Sequence, residues 1–184
     1  VEKRQAPQHL SRILESWEKA VLSDAQPLYM RAYLWLKLVT VWGVLRGEDS
    51  TWLDQGSLSY DPLLGLNVQL LQSKTTGPAK KVRLRTVRIS PTAFLVHPDW
   101  LPMGLKLWEG ADPDRQNFLV LPSKGYDGFL TLGAEQQDRA ALTRLALFSA
   151  GFGFDGDQIP DHEELLGWTS RFWTEHSSRS TVVS

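Results

Sequence analysis

Apolar residues recur at Leu10, Ile13, Leu14, Trp17, Ala20 and Val21, the three-and-four spacing of one helix face, which predicts an amphipathic helix over 7–22. The next stretch has no polar face. Across 27–46 the apolar positions, from Leu28 and Met30 through Trp35, Val39 and Trp42 to Leu45, run nearly all round the axis, so this segment is expected to be a buried central helix. The pattern then shortens. Asn67–Ser73 and Lys81–Ile89 read as strands, joined by Thr75-Thr76-Gly77-Pro78-Ala79, whose Gly-Pro pair can continue neither. This predicts a hairpin with Lys74 at its shoulder. Alternation holds over Val82–Arg85, slips at Thr86 and resumes at Val87, which predicts a bulge there. Further on, Pro98–Leu107 is expected to be a short helix, and 110–133 to be loop-rich with Phe118–Leu121 as a third strand. Residues 134–149 predict a helix closed by Gly151. Asp161 and Glu164 have capping-box spacing and open another, and a last helix is expected from Thr174 or Ser177. The fold class expected is mostly α with a small antiparallel β-sheet. With no repeat, low-complexity tract or linker, 1–184 reads as a single domain.

Composition narrows the class without choosing a function. With 42% apolar and 22% charged residues among 184, the chain has the balance of a globular protein with a full core. Zero cysteines exclude a disulfide framework, thiolate metal sites and a cysteine nucleophile, and fit an intracellular location. The longest apolar stretch, Tyr33–Leu45, is interrupted by Lys37 and Thr40 and is too short to span a bilayer, so no membrane partner is expected.

Charge changes the picture. From Pro62 to Pro98 there is no acidic residue, while Lys74, Lys80, Lys81, Arg83, Arg85 and Arg88 contribute +6; a chain of net charge −1 therefore carries −7 elsewhere. A basic stripe on an otherwise acidic body is the electrostatic footprint of a nucleic-acid surface, although a solvated strand face would have the same composition. The stripe surrounds the hairpin that carries Lys74.

Three cationic elements stand in order along the chain: Arg46 in LRGEDSTWLD, Lys74 in QSKTTGPAKKVRL, and His176 with Arg179 in HSSR. Phosphoryl transfer spreads negative charge over the equatorial oxygens, so its catalysis is mostly positioning and electrostatic stabilisation. Arginine's planar fork suits phosphate oxygens; a lysine can protonate a leaving oxygen, and a histidine can carry a proton or hold an oxygen. Such a site requires no metal or other cofactor. His162, beside Asp161, Glu163 and Glu164, reads as part of a first helical turn complementing the macrodipole rather than as a metal ligand. The eight tryptophans read as core rather than as base-stacking platforms.

In motif order and approximate spacing, residues 30–184 resemble the catalytic domain of the tyrosine recombinases, the integrase family whose fold is shared by type IB topoisomerases. The KTTGP hairpin is most similar to eukaryotic mobile-element recombinases of the DIRS-like and Crypton-like kinds. The resemblance implies that Arg46 is a phosphate-clamping arginine supported by Asp49, that Lys74 is a general acid, and that His176 and Arg179 form the second half of the clamp. It implies double-stranded DNA as partner, self-association on DNA and a nuclear location if the source is eukaryotic, and the basic stripe supplies Lys80, Lys81, Arg83, Arg85 and Arg88 as the candidate DNA contacts. It also implies site-specific recombination through a 3′-phosphotyrosyl intermediate. The family's nucleophilic tyrosine lies downstream of the second box, whereas Tyr29, Tyr33, Tyr60 and Tyr126 all precede His176. The chain therefore reads as a catalytic domain truncated before its nucleophile, inactive in cleavage by itself.

Each element has a bland reading. Arg46 and Asp49, three apart, could form a surface ion pair; Lys74 could be a solubilising loop lysine; His176 and Arg179 share a helix face by spacing alone. Three functions stay open: a DNA strand transferase, a non-catalytic DNA-binding module derived from one, and an unrelated helical interaction domain. The last predicts that the four residues are scattered in space.

Overall fold

The computed structural model describes residues 11–151, 158 and 161–171. In chain order they form α1 (Ser11–Leu22), α2 (Leu28–Trp42), β1 (Ser59–Asp61), β2 (Gly65–Leu70), β3 (Arg85–Ile89), α3 (Trp100–Lys106), β4 (Val120–Pro122), β5 (Phe129–Gly133), α4 (Gln136–Ala150) and α5 (His162–Arg171), with short 3₁₀ turns between them. The architecture is mostly helical with small antiparallel sheets, the class the periodicity predicts.

Helix α2 is the axis of the core. Nearly every side chain from Tyr29 to Val41 is buried, because α1, α3, α4 and the sheets cover it from all sides. Indole N–H groups tie the layers together. Trp17 Nε1 donates to Ala146 O at 2.9 Å across α1 and α4, and Trp35 Nε1 donates to Leu101 O at 2.9 Å across α2 and α3. Two charged residues are buried within this frame. Lys37 reaches Thr143 Oγ1 at 3.5 Å, and the Glu18 carboxylate accepts the N–H groups of Leu95, Val96 and His97 at 2.7, 3.0 and 2.9 Å. Glu18 thereby serves as the cap of a whole loop, since three consecutive donors would otherwise lack partners.

Several sequence expectations need correction. The central helix stops at Trp42 rather than 46. Leu45 N–H bonds back to Thr40 O and Val44 N–H to Val41 O, a Schellman ending with Val44 in the left-handed position at φ 52°. A β-branched residue is strained there, and the half-exposed Val44 side chain has little packing to compensate. Gly43 just before it sits where a Cβ would come within 2.8 Å of Val39 O and 3.0 Å of Val87, so β3 closes over the helix end.

The strands also differ. β2 and β3 are shorter than predicted and pair in unbroken register, from Leu66 opposite Ile89 to Leu70 opposite Arg85, so there is no bulge at Thr86. The alternation slips because Val82 and Leu84 are not in the strand; they are exposed residues of the 71–84 connection, which is a long folded loop rather than a tight hairpin. β1 was not foreseen and completes a three-stranded sheet in the order β1-β2-β3. The Phe118–Leu121 run does yield β4, but it pairs with β5 in a second sheet instead of joining the first. The short helix near 100, the helix closed by left-handed Gly151, and the Asp161 cap, whose Oδ1 accepts Glu164 N–H at 2.8 Å, stand as predicted. The expected last helix lies outside the described residues. No described helix is long and apolar enough to cross a membrane.

Candidate phosphate-binding site

Because α2 ends early, Arg46 sits on an extended residue (φ −77°, ψ 155°) that opens a 3₁₀ turn over Gly47–Trp52. Asp49 fixes that turn from both ends. Its Oδ2 accepts the Arg46 backbone N–H at 2.9 Å, while its own N–H donates to Arg46 O at 3.0 Å. The surface ion pair that the spacing would allow is not formed, and Asp49 instead clamps the Arg46 backbone. Asp49 is buried, and its second oxygen, Oδ1, has no hydrogen-bond partner among the described residues. A buried unpaired acceptor costs about 1–3 kcal/mol, so this oxygen is a standing attraction for a donor brought into the site.

The turn is laid against the end of β2. Asp54 N–H donates to Gln69 O at 2.8 Å, Leu53 bridges Leu70, and Leu71 N–H donates to Trp52 O at 3.0 Å. This pairing carries residues 46–52 alongside the start of the 71–84 loop. The loop is folded on itself: Ser73 N–H donates to Thr76 O at 2.9 Å, Gly77 N–H to Val82 O at 2.9 Å, and Lys80 Nζ to Ser73 O. Thr76 is buried at its centre, and Lys74 is left exposed at the rim.

Arg46 and Lys74 thus meet. Together with Glu48, Asp49, Trp52, Gln72, Ser73 and Lys80 they line an open depression of about 340 Å³. A smaller adjoining recess of about 60 Å³ is lined by Arg46, Asp49, Lys74 and Arg85 among others. Across the two, four cations face two carboxylates, Glu48 and Asp49. Among the described residues no ion pair engages Arg46, Lys74, Lys80 or Arg85.

The basic stripe divides. Lys80 lines the depression and Arg85 the adjoining recess, because Arg85 stands at the strand end where the inward face of β3 runs past the core. Arg88, opposite Asn67, projects from the other face of the sheet. Lys81 and Arg83 are exposed on the loop without lining the depression. His176 and Arg179 lie outside the described residues. None of the four tyrosines lines either recess: Tyr29 and Tyr33 are core, Tyr60 is on β1, and Tyr126 packs its ring 6.2 Å from that of Tyr29.

Sequence reading missed Trp52. Trp17, Trp35, Trp100 and Trp108 are buried as predicted, but Trp52 is 44% exposed at the wall of the depression. The signal was present in the spacing. Arg46, Asp49 and Trp52 stand three apart, and a 3₁₀ turn eclipses residues at that interval, placing all three on one side.

No protein-family model and no curated protein matches the chain. Among solved structures, the chain is similar to "FLP Recombinase-Holliday Junction Complex I" with 14% identity and a TM-score of 0.48, covering 98% of this chain and 40% of that one. The chain thus spans less than half the length of the protein it is compared with.

Proposed function

We propose that this chain is a DNA-binding part of a tyrosine-recombinase-type catalytic domain, gripping a backbone phosphate in the depression lined by Arg46 and Lys74. The observation that carries the reading is the convergence of those two side chains, which the β1–β2 hairpin separates in the chain, on one basic depression buttressed by Asp49. An unrelated helical interaction domain would have no reason to bring them together. In this reading the Arg46 guanidinium forks onto the non-bridging oxygens, and Lys74, exposed and without an ion-pair partner among the described residues, protonates the departing 5′ oxygen. Asp49 acts through the backbone, holding Arg46 in place rather than touching DNA. In the same reading His176 and Arg179, which lie outside the described residues, are expected to complete the clamp.

The reaction in this reading is recombination through a 3′-phosphotyrosyl intermediate. None of the four tyrosines lines the depression, so these 184 residues present the clamp without the nucleophile that the reaction needs. A clamp without a nucleophile lowers no barrier to covalent transfer. The chain is therefore expected to retain a nicked suicide-type duplex without forming a covalent adduct, and Arg46→Ala with Lys74→Ala is expected to weaken retention about tenfold or more. A denaturation-resistant adduct formed by this chain would overturn the placement of the nucleophile, and unchanged retention by the double variant would overturn the site.

A further inference from the structure

We propose that Trp52 is a stacking platform for an unstacked nucleobase next to the phosphate held by Arg46 and Lys74. This rests on the DNA-binding reading above and adds a subsite to it. A tryptophan 44% exposed on a chain that buries Trp17, Trp35, Trp100 and Trp108 leaves a large apolar face unused by the core. Its backbone is held firmly where it stands: the Trp52 carbonyl accepts Leu71 N–H at 3.0 Å, and the next residue, Leu53, bridges Leu70 on β2. A rigid aromatic loses little conformational freedom when a ligand lies on it.

The surroundings select the ligand. The indole shares its depression with Arg46, Lys74 and Lys80 against Glu48 and Asp49, and the excess of positive charge favours an anion. Gln72 beside them offers an amide able to both donate to and accept from a base edge. A volume of about 340 Å³ falls at the lower end of small-ligand sites, room for about one nucleotide and not for a folded partner. A flat π-surface adjoining a phosphate grip fits a nucleotide whose base face is uncovered. Bases inside a duplex are covered by their neighbours, so the subsite favours DNA with a base displaced from the stack.

The test compares two labelled duplexes of equal length, one fully paired and one with a single unpaired nucleotide in one strand, titrated with the 184-residue chain. The unmodified chain is expected to prefer the duplex with the unpaired nucleotide. Trp52→Leu is expected to erase that preference, a loss of roughly 5- to 100-fold for that duplex alone, with the salt dependence unchanged because no charge is removed. Trp52→Phe, which keeps a π-face, is expected to preserve most of the preference. If Trp52→Leu lowers both affinities equally or neither, the stacking assignment fails while the DNA-binding reading stands. If the unmodified chain binds neither duplex, both fail together.

Discussion

Tyr29 concentrates much of what single residues do here. Its hydroxyl donates to Val120 O at 2.6 Å, joining the central helix to the second sheet, and its ring stacks 6.1 Å from Tyr33 and meets Phe129 at 5.8 Å. Burial, reinforced by neighbouring Tyr33, pushes the phenol well above its usual 10.0. The protonated form is therefore favoured by folding, so the stability it contributes is full below about pH 10 and falls as pH rises beyond it, by up to about 1.4 kcal/mol per pH unit. In urea titrations across this range, Tyr29→Phe is expected to be about 1 kcal/mol less stable at neutral pH, from the lost hydrogen bond, and to converge on the parent as pH climbs past 10. Parallel stability curves would show that another group governs the alkaline limb.

At the level of elements, close packing overrides intrinsic preference, and Gly104 shows it best. In α3 an alanine would be the better helix former by about 1 kcal/mol. Yet a Cβ at 104 would lie 2.1 Å from Trp35 Cδ1 and 2.9 Å from Val21 Cγ1, and Trp35 is pinned by its bond to Leu101 O. Overpacking of about 1–3 kcal/mol or more should win. Gly104→Ala is expected to lower Tm by about 3–10 °C in a thermal melt, and Trp35→Phe in the same chain to recover part of the loss. A rise in Tm for the single variant would mean that α3 sits farther from α2. The same competition ends α2 at Trp42: apolar spacing continues to Leu45, but Gly43 and left-handed Val44 turn the chain so that Arg46 faces the 71–84 loop.

On the scale of the molecule, charge is segregated, with four cations gathered at the depression and its adjoining recess while Arg88 points from the opposite face of its sheet. Duplex binding is expected to follow a log–log salt slope of magnitude roughly 3 to 5, each phosphate contact contributing about 0.9. Lys74→Ala, Lys80→Ala and Arg85→Ala together should reduce that magnitude by about 2 to 3, while Arg88→Ala changes it little; equal effects from Arg88 and Lys80 would argue for diffuse rather than local attraction. Much of this organisation was legible in the order of residues, because helix periodicity, the Gly151 and Asp161 end signals and the acid-free run from Pro62 to Pro98 are local properties that survive folding. The sequence by itself thus determined the helical class, the buried central helix and the presence of a basic surface. Only the tertiary structure decided that Arg46 and Lys74 share a depression, that Asp49 serves a backbone N–H instead of a guanidinium, and that Trp52 stays in solvent while Trp17, Trp35, Trp100 and Trp108 are buried. The first and last of these depend on the pairing of the 3₁₀ turn with the end of β2, which local periodicity does not encode. The Asp49 bond spans only three residues but is set by the backbone turn that follows α2.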